Sequence, residues 1–483
     1  MMRAVQTFLG VALGAVAIAA APFSAAQEAP AQIQLDVEQM RLAAELNLRN
    51  GDMVRALAFA DALLQRDPED VTALLIRSHA LRAQGNGAQA QQAARAAWQI
   101  APNDNLKYSA AILMAQALSS DGKRTRAQLW LRQAAQMAPT KEQSARAAQD
   151  FRYVQRNNPW QTQLSFTLAP NSNINNGSAR DSSALLYQIF NPFNQDGTGQ
   201  VVLGAASKAL SGLEMGVEVQ SRYRFHQTEH SAHDLRLGLS YRSYQLSGSA
   251  RDALAADDAA RVARGEQAQN ITGSNYAYGT VQLGYDFKRL REDRRGEFSL
   301  MADLGQSFYD GARFNSYFRT GLGQSYHINP TTKFDFGISG ETRHAQRGIA
   351  QDSLSLSAGM SRKLASGDGL YLGVSASSIT SDTARAEYDE VRLRAGYMLG
   401  REVMGTALQF GLSTSFRDYD VSPHDPSGRR ETQLTGDITA TFRQIDYLSF
   451  NPVVSFTAST TDSNIGLYDV NRMGLSIGIA SAF

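Results

Sequence analysis

Cysteine is absent from all 483 residues. That excludes a disulfide framework, thiolate metal sites and a cysteine nucleophile, and leads us to expect no lipid anchor on an N-terminal cysteine. Proline is scarce, at 12 residues, which argues against a disordered or linker-rich chain. Charge of one sign is lacking too. Lysine and arginine total 47 against 46 aspartates and glutamates, so the electrostatic footprint of a nucleic-acid binder is missing and no nucleic-acid partner is expected. Beyond the N-terminus no apolar run approaches the roughly 20 residues of a transmembrane helix. Spanning strands are not excluded by this, because their hydropathy signal is weak in each segment.

The N-terminus carries an address. Arg3 is followed by an uncharged, mostly apolar run from Phe8 to Pro22, and Ser24-Ala25-Ala26 supplies the small residues a signal peptidase reads. Residues 1–26 are expected to be a signal peptide cleaved before Gln27. An exported chain without cysteine suits a Gram-negative envelope.

From 36 to 156 the composition turns to Ala, Leu, Gln and Arg, and the sequence repeats itself. Gly51, Ala56, Ala60, Leu64 and Pro68 recur as Gly85, Ala90, Ala94, Trp98 and Pro102, then as Gly122, Ala127, Leu131, Ala135 and Pro139. The glycines are 34 and 37 residues apart. Such a period, with Gly, small residues at four-residue spacing and a closing Pro, resembles the tetratricopeptide repeat. Gly serves the turn between paired helices, Ala permits close helix approach, and the residue before Pro disfavours the helical conformation. Leu74, Leu75, Leu81, Ile112, Leu113 and Leu118 are the expected buried stripes. Arrays of this kind present a concave face to extended partners. Arg77, Arg82, Arg95 and Lys107 are candidates for that face, or ordinary solvated residues.

At Asn158-Pro159-Trp160 the period switches to two. Leu213, Met215, Val217, Val219, Tyr223 and Phe225 alternate with Glu214, Gly216, Glu218, Gln220, Arg222 and Arg224. Val391, Leu393 and Ala395 alternate with Arg392, Arg394 and Gly396. Fourteen such segments run from 160–169 to 468–483. They are longer than the roughly 5–6 residues usual in sandwich strands, and their number is even, as in single-chain bacterial barrels. The expected fold is therefore an α-helical tetratricopeptide-like domain (36–156) followed by a fourteen-stranded antiparallel transmembrane β-barrel (160–483). With the repeats periplasmic, the two longest connections, 170–212 and 247–273, face outward, and the others on the far side are short turns. The segment around Asp257-Asp258 reads as a mobile outer loop. Trp160, Tyr285, Phe287, Phe442 and Phe483 fall near strand ends as an aromatic girdle. The terminal Phe483 resembles the signal read by the machinery that inserts barrels into the outer membrane.

Pro159-Trp160, followed by Leu168-Ala169-Pro170-Asn171-Ser172-Asn173-Ile174-Asn175 at the end of the first strand, together with the order signal peptide, repeats, barrel, resembles the surface lipoprotein assembly modifier family. The resemblance covers nearly all of the mature chain and implies a translocation factor that helps lipoproteins or related soluble proteins reach the cell surface. It implies exported protein cargo, outer-membrane lipid and the insertion machinery as partners, and a periplasmic repeat domain. It adds cargo contact to Asn171, Asn173 and Asn175, whose residue type also suits a tight, ordered strand exit. Arg392 and Arg394 join Arg77 and Arg82 as candidate cargo contacts. A monomer is favoured.

Catalytic readings are weak. His226, His230 and His233 cluster at an expected turn and bind metal weakly at most. Gly474-Leu475-Ser476-Ile477-Gly478 fits the nucleophile-elbow pattern but lies within a strand, with no helix after it. No phosphate loop or metalloprotease helix is present. We expect no enzyme, no cofactor and no metal. Two other transport readings stay open: an exopolysaccharide export barrel with a repeat adaptor, and a passive porin. The expected lumen charges, Glu214, Glu218, Asp303 and Asp437 with Arg222, Arg224, Arg236, Arg242, Arg392 and Arg394, mix both signs and favour neither.

Overall fold

The structure is a computed structural model that describes residues 35–185 and 199–481. The expected signal peptide and Phe483 lie outside the described residues.

Helix formation starts from capping. Asp36, Asp52, Asp70, Asn103 and Thr140 each accept a hydrogen bond from the backbone N–H three residues on, which satisfies donors the helix leaves unpaired. The helices are α1 (Val37–Arg49), α2 (Met53–Arg66), α3 (Val71–Ala83), α4 (Gly87–Ile100), α5 (Asp104–Ser120), α6 (Arg124–Met137) and α7 (Lys141–Asn157). Gly51, Gly85 and Gly122 separate the hairpin pairs α1/α2, α3/α4 and α5/α6 with φ of 81°, 82° and 74°, a region that side-chain-bearing residues avoid. Ala56, Ala60, Ala90, Ala94 and Ala127 have no exposed surface, so the small side chains let the helices close on one another. Leu74, Leu81 and Leu118 are buried as expected, with Phe151 of α7 sealing the last hairpin against Leu118 and Leu131. Leu75, Ile112 and Leu113 are half-buried against these cores.

Strand β1 (Trp160–Asn171) leaves α7 directly. The barrel continues with β4 (Gly212–Gln227), β5 (Ser231–Leu246), β6 (Tyr278–Leu290), β7 (Gly296–Tyr309), β8 (Ala312–Asn329) and β9 (Thr332–Ala345). It is completed by β10 (Gln351–Lys363), β11 (Gly369–Ser381), β12 (Tyr388–Met398), β13 (Thr406–Tyr419), β14 (Arg429–Phe442), β15 (Phe450–Ser463) and β16 (Val470–Ser481). These fourteen strands close antiparallel, with β16 returning to β1. A short hairpin, β2 (Ser182–Ala184) with β3 (Gln200–Val202), stands apart in the first long loop.

Alternation sets the two faces. Leu164, Phe166 and Leu168 of β1 and Met473, Ile477 and Ile479 of β16 are exposed on the outside, while the intervening positions point inward. An outward apolar surface on a closed barrel is the architecture of an outer-membrane protein. Rings collect at the rim nearest the helices: Trp160 lies 4.6 Å from Tyr223, and Phe225 and His233 pack around Tyr285 and Phe287. Connections on this repeat-side rim are short, and the two longest connections lie on the opposite rim.

The segment expected to be a mobile loop around Asp257-Asp258 is a helix, α8 (Gly248–Ala263). Ser247 caps it by accepting from Ala250, and Ala250 and Leu254 are buried with Ile174, Leu210 and Leu246. Asp258 accepts from the Gln269 and Asn270 amides, at 2.7 and 3.0 Å. An alanine-rich stretch needs only one apolar face and a cap to become an ordered lid over the rim. The start of the fourth expected segment, 274–287, also moves: Ser274, Asn275 and Tyr276 belong to a 3-10 turn, Gly273–Tyr276, that precedes β6.

Candidate functional site

The inward wall is a set of ion pairs between neighbouring strands. Asp234 on β5 is almost fully enclosed and bonds Arg222 and Arg224 of β4, at 3.1 and 2.7 Å. Arg236 reaches Asp286 at 2.6 Å and Asp303 at 2.9 Å. Arg319 of β8 and Arg343 of β9 share Glu341. Glu390 of β12 holds Arg392 at 2.9 Å and Arg417 of β13 at 2.6 Å. The charges of mixed sign expected in the lumen are thus largely spent on one another, which ties the strands and leaves a near-neutral wall. Arg394 differs: it is exposed, and no ion pair reaches it among the described residues. It lines a cavity of about 1350 Å³ near the repeat-side rim, with Lys333, Lys363, Tyr371, Asp437 and Arg443.

Two turns of that rim are tied by Asp368. Its carboxylate accepts from the Gly400 amide at 2.7 Å, the Tyr397 hydroxyl at 2.7 Å and the Ser366 hydroxyl at 2.6 Å. These donors hold its pKa down at about 2.

The repeats meet the barrel through α6. Arg132 is 8% exposed. Its guanidinium donates to the Ser449 carbonyl at 2.7 Å, the Leu448 carbonyl at 3.2 Å and the Ser481 hydroxyl at 2.7 Å. It is stacked between the rings of Phe151, at 4.6 Å, and Phe450, at 4.0 Å. Burial pulls its pKa down, and Asp446 opposes this. Gln136, one turn on, accepts from the Leu448 amide at 2.9 Å. At the other end of α6, Thr125 accepts from the Asn158 side chain at 3.0 Å, and Asn158 accepts from the Trp160 amide at 3.2 Å. One helix therefore grips both the entry to β1 and the end of β16.

Between those strands the barrel closes unevenly. β1 pairs with β4 along all twelve of its residues, from Trp160↔Tyr223 to Asn171↔Gly212. β16 pairs with β15 from Phe450↔Ser481 to Thr461↔Val470. Among the described residues β1 and β16 share Leu168↔Ile477 and Asn171↔Gly474. Among the described residues no pairing joins them on the repeat side of Leu168.

The far end of this seam is clamped. Ser172 donates to the Met473 carbonyl at 3.0 Å and accepts from its amide at 2.8 Å. The Asn173 side chain bonds the Asn471 carbonyl and both backbone groups of Gly177, at 2.8–3.1 Å. Asn175 bonds the carbonyls of Ala206 and Lys208 and the Leu210 amide, and Asn171 bonds Glu214. The asparagines build the ordered strand exit that their chemistry allows. Asn173, fully enclosed, has no surface left for a partner.

The candidate contacts stand in three places. Arg392 and Arg394 face the lumen, the asparagines the opposite rim, and Arg77 and Arg82 lie on α3. Arg77 pairs with Asp61 at 2.8 Å. Arg82 is half-buried, and together with burial it lowers the pKa of His79. Sequence reasoning missed Arg132. The one signal available was an arginine placed next to Leu131, a conspicuously buried repeat position.

No family model matches the chain, and neither does any curated protein. Solved structures are similar to one part at a time. The TPR2B domain of yeast Sti1, from its complex with pHsp70, is 22% identical over 25% of this chain and 95% of its own, with a TM-score of 0.23. An outer membrane channel from Pseudomonas putida F1 is 10% identical over 66% of this chain and 95% of its own, with a TM-score of 0.31. An anion-selective porin from Comamonas acidovorans is 12% identical over 67% of this chain and 100% of its own, with a TM-score of 0.27.

Proposed function

We propose that this protein is an outer-membrane translocation factor that delivers specific exported proteins, lipidated or soluble, to the cell surface, in the manner of the surface lipoprotein assembly modifier family. Residues 36–156 act as a periplasmic receptor domain, and 160–483 as the membrane domain. The observation that carries this reading is the grip of α6 on the barrel rim through Arg132, Gln136 and Thr125. A receptor fixed at the mouth of a barrel hands over what it captures without a diffusive step. A helical array suits extended chain, and a lumen wall neutralised by its own ion pairs lets polar backbone pass without trapping one charge. Arg392 and Arg394 are the lumen contacts, and Arg77 and Arg82 the receptor contacts, in this proposal.

The test is deletion followed by quantitative comparison of surface-exposed and secreted polypeptides. Loss of one or a few polypeptides, with porin and polysaccharide levels unchanged, is expected. Loss of polysaccharide with every surface polypeptide retained overturns the proposal in favour of polysaccharide export.

A further inference from the structure

The positive charges that the ion pairs of the wall leave over are gathered in one place. Six arginines or lysines line the cavity at the repeat-side mouth, Lys333, Arg362, Lys363, Arg394, Arg401 and Arg443, against Glu402, Asp437 and Asp446. Lys333 is taken by Asp335 at 2.8 Å and Arg443 by Glu402 at 3.0 Å. Arg401 stands within electrostatic reach of the Asp368 carboxylate. Asp446 accepts from the Ser449 amide at 2.8 Å and acts on Arg132. Among the described residues Arg362, Lys363 and Arg394 have no ion pair, and Asp437, folded against Gly411, is the acid of this lining left to face them. The register sets the cations in a descending series. Lys363 is level with Gly369 and so with Met398, and Arg394 lies four positions deeper on β12, roughly 13 Å further in at the usual rise of a strand. Its cross-strand neighbours, Gly373 and Ser413, are small, so the guanidinium stands in open space. Two positions deeper, Arg392 is again bound, to Glu390 at 2.9 Å. Free positive charge begins at the rim and ends where the paired wall begins, inside low-dielectric walls that concentrate its field.

We propose that this cavity is the entry site for acidic segments of the exported polypeptide, whose carboxylates are met by Arg362 and Lys363 at the rim and by Arg394 inside. This deepens the translocation reading and rests on it. An extended chain suits a descending series, because alternate side chains lie roughly 7 Å apart and several can engage it at once. Arginine also offers a planar fork that a carboxylate meets with two bonds. The occupant is a polypeptide because of what the cavity adjoins. Asn451, Ala480 and Ser481 belong to its lining, and the Ser481 hydroxyl accepts from Arg132 of α6 at 2.7 Å. Chain leaving the repeats along α6 therefore arrives at this mouth. Beyond Arg394 the paired wall gives the carboxylates no second hold, so capture at the mouth does not become a trap.

The probe is a labelled oligoglutamate peptide, titrated by fluorescence anisotropy against the purified full chain in detergent, with an oligolysine of the same length beside it. Oligoglutamate is expected to bind, less tightly as salt is raised, and oligolysine not to bind. A Lys363→Gln/Arg394→Gln double variant should weaken binding about tenfold, the scale of two charge contacts in hydrated surroundings. Arg394→Lys should keep most of the affinity, and Arg251→Gln, on α8 at the opposite rim, should leave it unchanged. Unheated gel mobility shows that each variant forms the barrel, and Arg394→Gln alone gives the smaller loss of one contact should the double variant not form it. Undiminished binding by these variants, or equal binding of oligolysine, overturns the site. An oligogalacturonate of the same charge bound as tightly as oligoglutamate overturns the assignment to polypeptide in favour of an acidic polysaccharide.

In cells, the polypeptides lost from the surface on deletion should also fall in the double variant and stay at the wild-type level in Arg251→Gln. Normal export by the double variant overturns the entry site and leaves the translocation reading standing. Export lost equally in Arg251→Gln also overturns the entry site. A deletion that changes no surface polypeptide overturns the translocation reading itself, whatever the peptide does.

Discussion

At the scale of single residues, two side chains hold the repeat-side rim together by opposite chemistry. Arg132 is a buried cation satisfied by carbonyls and ring faces. Arg132→Ala should weaken the repeat–barrel junction by about 1.5–3 kcal/mol, the range for hydrogen bonds made by a charged group. The Leu448 amide, which donates to Gln136, should then exchange with deuterium faster than in the wild type. Arg132→Lys should not restore protection, because a point charge cannot make the fork of three bonds. Asp368 is an anion held by three donors. Its folded pKa of about 2 lies below the ordinary 3.8, so its contribution is complete above the ordinary value and fades as pH falls from there toward about 2. The Gly400 amide proton should report this in a chemical-shift titration with a midpoint near 2. A midpoint at the ordinary carboxylate value would remove the claim that these bonds tie the two turns.

At the scale of elements, the repeat hairpins and the ordered rim differ in how far local sequence specifies them. Gly85 has φ of 82° and open space where a Cβ would stand. Gly85→Ala should therefore act through backbone strain alone and destabilise the array by about 1–2 kcal/mol, read as a lower midpoint of the helical circular-dichroism melt. The same reasoning makes the glycine period legible in advance: a positive φ every hairpin is a local demand. The rim is otherwise. Asn173→Ala takes the side-chain donor from the Gly177 and Asn471 carbonyls and leaves the Gly177 amide only its 3.3 Å bond to Asn175, each unpaired group costing about 1–3 kcal/mol. The loop over 172–183 should then become open to protease while the barrel stays folded by gel mobility. An Asn-rich stretch signals a tight turn, but nothing local says that its partner lies at Asn471. For α8 the sequence showed alanines and charges, and only the apolar floor made by Ile174, Leu210 and Leu246 turns that composition into a helix.

At the scale of the whole molecule, an odd strand count or a repeat array on the long-loop rim would undo the proposed topology. External protease on intact cells should cut in the exposed stretch 264–269 that follows α8 and leave the repeats whole; permeabilising the outer membrane should then expose them. Cleavage of the repeats first would reverse the orientation.

What the chain's own order of residues determined is everything that repeats at short range. The 34- and 37-residue spacings of the glycines and the prolines that close each repeat specified helical hairpins. The period of two, counted over fourteen segments, specified a closed barrel with an apolar outside and put the long connections on one rim. These follow from steric and solvation preferences that act within a few residues. Only the tertiary structure decided which charges cancel, as with Arg236 and Asp303, 67 residues apart. It also decided that Arg132 meets Ser481 across 349 residues, and that β16 returns to β1 to close the barrel, with Leu168 opposite Ile477. The reason is physical: a side chain's periodicity says which face it occupies, whereas its partner depends on the register in which distant strands are brought together when the barrel closes.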